Sequence, residues 1–280
     1  MPLTEQDIAL LKEKAWLARR NTIQTLMWAG GGHAGGALSQ IDILVALYYH
    51  YLKIDPKNPK WEDRDRVVLS KGHGGIGYAP ILADVGYFDK ELLKEFNHTG
   101  SPFGMHLDML KVPGVDASTG SLGHGLSIAA GMALGARLKK KTWRVYCILG
   151  DGECHEGAVW EAAMSAAHYK LDNLTAFVDR NKHCIDGPTE TVMALEPLKD
   201  KWISFGWHAL VIDGHDFAQI GSAIDEALET KGRPTVIIAQ TIKGKGVDFM
   251  EDDPAWHYGG IDSDKMELAL KSIDRMYGKA

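Results

Sequence analysis

Val145-Tyr146-Cys147-Ile148-Leu149 runs directly into Gly150-Asp151-Gly152-Glu153, and the reading of this stretch decides the fold. A run of apolar residues with no polar alternation describes a strand covered on both faces, as in a parallel sheet. The glycines flanking Asp151 let backbone and ligand approach closely and leave one carboxylate at the strand's end. Working outward, Leu174-Thr175-Ala176-Phe177-Val178, Ala209 to Ile212 and Pro234 to Ala239 read as further strands, and Arg66 to Ser70 as an earlier one. Helical stretches separate them: Leu122 to Leu138, rich in small residues, Gly157 to Tyr169, and Phe217 to Leu228. Before the first strand, Thr4-Glu5-Gln6-Asp7 matches a capping box for a helix from Glu5 to Ala29, stopped by Gly30-Gly31-Gly32. A second helix is expected from Gln40 to His50. The alternation predicts an α/β fold: a doubly wound, mostly parallel sheet flanked by helices. No linker divides the chain, so one domain is expected over residues 1–280, with a helical extension after residue 250.

Composition excludes several classes. The 280 residues are 45% hydrophobic and 24% charged, which suits a globular protein with a sizeable core. A net charge of −6 argues against a nucleic-acid backbone as the main partner. No apolar run reaches the length of a membrane span. The N-terminus lacks the basic-then-apolar pattern of a signal peptide. Cys147, Cys154 and Cys184 form no C-x-x-C pair. That argues against a disulfide scaffold or structural zinc and predicts a reducing cytoplasmic location.

In open parallel sheets, ligands sit beyond the carboxyl ends of the strands. Asp151 lies at one such end, and Asp179-Arg180-Asn181-Lys182-His183 follows the next strand. Asp151 and Asn181 are thirty residues apart, about one βαβ unit, so neighbouring strands would present a carboxylate and an amide oxygen side by side. Such hard oxygen ligands suit Mg²⁺ or Ca²⁺, with phosphate oxygens completing the shell. Taken alone, the pair also reads as a turn and a loop residue. Histidines add a second signal. His33, His73, His106, His124 and His257 all sit in glycine-rich loops. Imidazoles in numbers suit proton movement among hydroxyl and carbonyl oxygens, as in sugar chemistry. Gly120-Ser121-Leu122-Gly123, opening a helix, is expected to offer free N–H groups to an anion. Gly72-His73-Gly74-Gly75-Ile76-Gly77 matches G-x-G-x-x-G, which makes a nicotinamide dehydrogenase a formal alternative. The acidic residues about twenty positions on, Glu91 and Glu95, fall in a helical stretch rather than at a strand end.

The sequence resembles the transketolase family. Gly150-Asp151-Gly152 with Asn181 is similar to the thiamine-diphosphate signature, and the surrounding text is closer still. It includes Ser70-Lys71-Gly72-His73, Thr119-Gly120-Ser121-Leu122-Gly123, Phe205-Gly206-Trp207, Asp213-Gly214-His215 and Thr241-Ile242-Lys243-Gly244-Lys245-Gly246. The resemblance runs from about Gly32 to His257 and implies the thiamine-diphosphate-binding (PP-domain) fold. It implies thiamine diphosphate and Mg²⁺ (or Ca²⁺) as cofactors. The metal would be held by Asp151, Asn181 and the backbone carbonyl of His183. Gly152, His73, Gly120, Ser121 and Leu122 would contact the cofactor. His33 and His257 would sit near the diphosphate and sugar hydroxyls, and His106 near the donor's terminal hydroxyl. Lys243 is a further candidate for the diphosphate charge, and Glu156 for joining subunits.

The reaction implied is transfer of a two-carbon ketol unit from a ketose (phosphate) to an aldose (phosphate), with the histidines carrying protons. Two positions depart from the family pattern: Leu107 stands where proline usually follows His106, and His124 where glutamine is common. Full transketolases continue into pyrimidine-binding and C-terminal domains, so the resemblance implies the N-terminal subunit of a split transketolase. A separate partner chain would carry the pyrimidine-binding domain, in an α2β2 assembly active only when both are present. Three alternatives stay open. One is an E1α-like subunit of an α-keto-acid dehydrogenase. Another is a split transketolase acting on a sulfosugar or branched sugar, and the third is a degenerate binding module.

Overall fold

The structure, a computed structural model, describes residues 2–279; residues 1 and 280, the outer bounds of the expected domain, lie outside the described residues. Thr4 starts helix α1 (Glu5–Ala29) through the expected capping box. Its hydroxyl accepts from the Asp7 N–H at 3.2 Å, and the Asp7 carboxylate accepts from the Thr4 N–H at 2.9 Å. Gly30 ends the helix at φ 68°, a left-handed conformation that glycine adopts without penalty. Helices α2 (Ala34–Ser39) and α3 (Ile41–Ala46) follow, then strand β1 (Arg66–Leu69) and helix α4 (Gly75–Val85). Next come α5 (His124–Leu138), β2 (Val145–Gly150), α6 (Gly157–His168) and β3 (Leu174–Arg180). The chain closes with α7 (Thr189–Val192), α8 (Leu198–Ser204), β4 (His208–Asp213), α9 (Phe217–Glu229), β5 (Thr235–Gln240) and α10 (Ser263–Met276).

The five strands form one sheet in the order β1-β2-β3-β5-β4, and every neighbouring pair is parallel. Alternate residues along each strand feed two separate cores, which is what makes the sheet doubly wound. Val67, Tyr146, Ile148, Phe177 and Ile237 pack with α1, α3, α4 and α9 on one face. Val68, Cys147, Leu149, Val178 and Ile238 pack with α5, α6 and α8 on the other. Each fully buried side chain of this size contributes about 1.5–3 kcal/mol. Trp202, wholly buried with its ring 5.1 Å from that of Trp160, belongs to the second core. No helix among the described residues is long and apolar enough to cross a membrane.

Two glycine-rich stretches outside the expected helices are helical and buried, α2 and α4. Glycine costs a helix about 1 kcal/mol relative to alanine, but here close packing outweighs propensity. A Cβ on Gly77 would lie 3.0 Å from Ala37 of α2. This also disposes of the dinucleotide pattern. A Cβ on Gly72 would meet the Thr119 backbone at 2.6 Å, and one on Gly74 would meet the Gln40 amide at 2.6 Å. These glycines let elements pack against each other; they do not cradle a pyrophosphate.

Strand β3 runs two residues further than its apolar run, through Asp179 and Arg180, and both are buried. The register sets Gly150 opposite Asp179, and Asp179 opposite Ala239. The carboxyl ends of β2, β3 and β5 are therefore level, and their following residues open onto one cavity.

Candidate active site

That cavity, of about 400 Å³, is lined by His33, His73, His106, Gly120, Leu122, Asp151, Gly152, Asn181, His183, Lys243 and His257, among others. Residues from eight separate stretches of sequence meet there. The size suits a small-molecule or cofactor site.

Backbone pairing brings the first and last imidazoles together. Gly32 and Gly259 form an antiparallel bridge, N–H to carbonyl at 2.9 and 3.0 Å. A Cβ on Gly32 would lie 2.7 Å from the Ile76 Cδ1, so glycine lets that side chain pack closely at the crossing. His33 and His257 thereby stand with ring centroids 5.4 Å apart. His73, just past β1, lies 5.0 Å from His33 and 5.6 Å from His257, and His106 lies 6.4 Å from His33. Gly120, at φ 144°, packs under the His106 ring, where a Cβ would come within 2.6 Å of it. Four imidazoles thus form one cluster. His124 is not in it; it is exposed at the start of α5.

Burial and mutual repulsion keep this cluster neutral. Burial, then the His106 and Lys243 charges, pushes His33 down to about 4. Burial and the nearby Lys71 push His73 down to about 2. His257 falls to about 4 through burial and Lys243. At neutral pH these rings act as paired hydrogen-bond donors and acceptors rather than as cations.

The same cavity is lined by the oxygen-bearing side chains of Asp151 and Asn181. Asp151 Oδ1 accepts from the Gly152 N–H at 2.8 Å, and Oδ2 accepts from the Lys182 N–H at 2.6 Å and from Arg180 at 3.0 Å. Burial and the nearby Asp179 nonetheless raise its pKa, with Arg180 offsetting only part. The Asn181 amide donates to Asp179 and Ser39, while its oxygen accepts from the His183 N–H at 3.2 Å. Lys243 is buried, and burial with the neighbouring Lys71 charge lowers it to about 8. Its ammonium donates to His257 Nδ1 at 3.0 Å.

A buried ammonium bonded to a neutral ring and an under-compensated buried carboxylate therefore share one cavity. Together they suit an anion carrying a hard cation, so the residues present fit a metal–diphosphate group. Among the described residues, no three or more His, Cys, Asp or Glu side chains are arranged to hold a metal by themselves. A cation here needs the amide, carbonyl and phosphate oxygens as well.

Two expected details differ. Ser121 is exposed and absent from the cavity lining; its hydroxyl faces His124 Nδ1 at 3.5 Å. The start of α5 is also less open than expected, because the Gly123 N–H donates to the buried Glu153 carboxylate at 2.9 Å. Glu153 further accepts from Ser70 and from the Gly150 N–H, and so ties β1, β2 and α5 together. Glu156 lies exposed at the cavity rim as the N-cap of α6. Leu107, in the position after His106, is buried against Gly75.

Sequence reasoning missed Lys71 and Asp179 as site residues. Both are fully buried and form an ion pair, Lys71 lining the cavity and Asp179 behind it. The available signal was a charged residue directly after an apolar parallel strand, where only a partner makes burial tolerable.

The fold and the cavity together define a parallel α/β domain whose cavity, at the carboxyl ends of its strands, suits a diphosphate. The family model described as transketolase, thiamine diphosphate binding domain, matches residues 12–274. The 6-deoxy-6-sulfo-D-fructose transketolase subunit SqwG of Clostridium sp. (strain MSTE9) is 45% identical, over 98% of this chain and 99% of that protein. One subunit of the apulose-4-phosphate transketolase of Phocaeicola vulgatus is 38% identical, over 93% of this chain and 92% of that one. Among solved structures, transketolase from Campylobacter jejuni superposes with a TM-score of 0.89 at 31% identity, covering 99% of this chain and 43% of that chain. The chain thus spans under half the length of such single-chain transketolases.

The chain belongs to the transketolase family, and it carries that family's thiamine diphosphate-binding domain. The nicotinamide-dehydrogenase alternative falls with this match.

Proposed function

We propose that this chain is the diphosphate-binding subunit of a two-chain, cytoplasmic transketolase, active only with a partner that supplies the pyrimidine-binding domain, as an α2β2 assembly. The observation that carries the reading is the meeting of four neutral imidazoles with Asp151, Asn181 and Lys243 in one cavity. Asp151, Asn181 and the His183 carbonyl would hold Mg²⁺ (or Ca²⁺), and Lys243 with Gly152 would face the diphosphate. Thiamine diphosphate, when bound, supplies a nucleophilic carbon and an electron sink for breaking a carbon–carbon bond. His73 and Gly120 line the cofactor's side of the cavity. His33, His106 and His257 would orient the hydroxyls of the sugar and move the proton that leaves and returns as the two-carbon unit is transferred. Their neutrality supports this role, since a neutral ring can accept a proton at one nitrogen while donating at the other.

The donor is a ketose bearing an anionic group. The two similar subunits are named for a sulfo sugar and for a sugar phosphate, and this supports that class without choosing between sulfonate and phosphate. The test is co-purification with the partner, followed by a panel of phosphorylated, sulfonated and branched ketoses and α-keto acids. Ketose cleavage dependent on thiamine diphosphate and on both chains is expected. Turnover by this chain alone, or only of α-keto acids, would overturn the proposal.

A further inference from the structure

Beneath the cavity, one carboxylate joins four separated parts of the chain. Asp179 is fully buried at the end of β3. It accepts from Ser39 at the end of α2 at 2.6 Å, from Lys71 just past β1, from Thr241 just past β5, and from Asn181 at 3.2 Å. Lys71 also donates to the Gly36 carbonyl at 2.6 Å, so the ion pair is anchored at both ends.

An amide has a donor end and an acceptor end, and only its oxygen can ligate a hard cation. The Ser39 hydroxyl has two acceptors for its proton, Asp179 at 2.6 Å and the Gly36 carbonyl at 3.2 Å, so toward the Asn181 nitrogen at 3.3 Å it presents a lone pair. The nitrogen's other partner is the Asp179 carboxylate itself. Both partners are acceptors, so the nitrogen end is fixed inward and the oxygen is directed away from Asp179. That oxygen accepts once, from the His183 N–H, and keeps a lone pair for a further ligand.

We propose that Asp179 is a positioning residue for the cation: through its bond to the Asn181 amide it holds the amide oxygen toward the metal. A carboxylate is needed at 179 because an amide there would allow Asn181 to flip and present its NH₂ group to the cation. The inference rests on the metal role proposed above for Asn181.

The test titrates Mg²⁺ at fixed thiamine diphosphate into the chain reconstituted with its partner. Binding is read by tryptophan fluorescence, with Tm measured on each variant. Asp179→Asn and Asn181→Asp are each expected to weaken Mg²⁺ binding about 10–100-fold, the usual effect of disturbing a metal site's outer support. The double variant Asp179→Asn with Asn181→Asp should recover most of that loss, because donor and acceptor are then exchanged across the same contact. A merely structural role, for two residues in contact, predicts coupling in Tm as well; the assignment predicts that Mg²⁺ affinity recovers beyond any recovery of Tm. Additive losses, or wild-type affinity in Asp179→Asn, would overturn the inference. Should Asp179→Asn not fold, Ser39→Ala removes one acceptor and leaves the ion pair. Weaker Mg²⁺ binding at unchanged Tm supports the assignment, and unchanged binding overturns it. Wild-type protein that binds neither Mg²⁺ nor the cofactor would instead remove the proposed function.

Discussion

Asp42 and Asp151 are both buried carboxylates, and they are compensated very differently. Asp42, in α3, receives a two-pronged pair from Arg19 at 2.8 and 2.6 Å and a bond from His215 at 2.7 Å. The Ile242 N–H donates to His215 Nε2, so Nδ1 carries the proton given to Asp42. Burial alone would raise Asp42, but these partners hold it down at about 2. Asp151 meets one guanidinium that is shared with Glu190 and Glu196, lies near a second carboxylate, and is raised. The difference separates an ion pair complete within the fold from a carboxylate left under-compensated, which is what the proposed cation role requires.

Breaking the complete pair has the largest expected effect. Asp42→Ala leaves the Arg19 guanidinium buried and largely uncompensated. It should cost about 3–5 kcal/mol, much of a typical domain's stability, as measured by denaturant unfolding. Asp151→Asn should do the opposite. Stability is expected to hold or rise by thermal melting, because a poorly compensated charge is removed. Cofactor-dependent activity should fall by at least ~100-fold, since a proposed ligand is lost outright. Equal loss of stability in both variants would erase the distinction.

A pH series sharpens it further. His33 in the folded chain resists protonation until about 4, while the unfolded chain protonates near 6.5. The unfolded state therefore binds more protons across that window, so this contribution is complete above 6.5 and is lost as pH falls toward 4. His33→Asn removes it, so the gap in Tm between wild type and variant should shift in the variant's favour on acidification. A constant gap would count against a depressed imidazole. The smallest effect is expected at an exposed pair, Lys271–Glu267 on α10. Glu267→Gln should leave the denaturant unfolding midpoint essentially unchanged, because an exposed ion pair is screened by solvent.

Much of the fold was legible because its signals are local. The apolar runs of β2 and β5, the small-residue face of α5 and the Thr4–Asp7 cap each declare themselves within a few residues. Helices α2 and α4 were not legible. Their glycines argue against helix locally, and the packing that requires them involves residues such as Ala37 and Gly77, far apart in sequence. The end of β3 was hidden for a related reason: Asp179 and Arg180 look like loop residues until Lys71 and Asp151 are seen beside them.

The sequence by itself determined the alternating strands and helices, the glycine-flanked carboxylate, and the amide one βαβ unit later, since each is a matter of spacing along one chain. Only the tertiary structure decided that His33, His73, His106 and His257 meet while His124 and Ser121 turn to the surface. It also decided that Asp179 gathers Ser39, Lys71, Asn181 and Thr241. The physical reason is strand order and backbone bridging. Ser39 reaches Asp179 across 140 residues, and Gly32 pairs with Gly259, contacts no local pattern can specify.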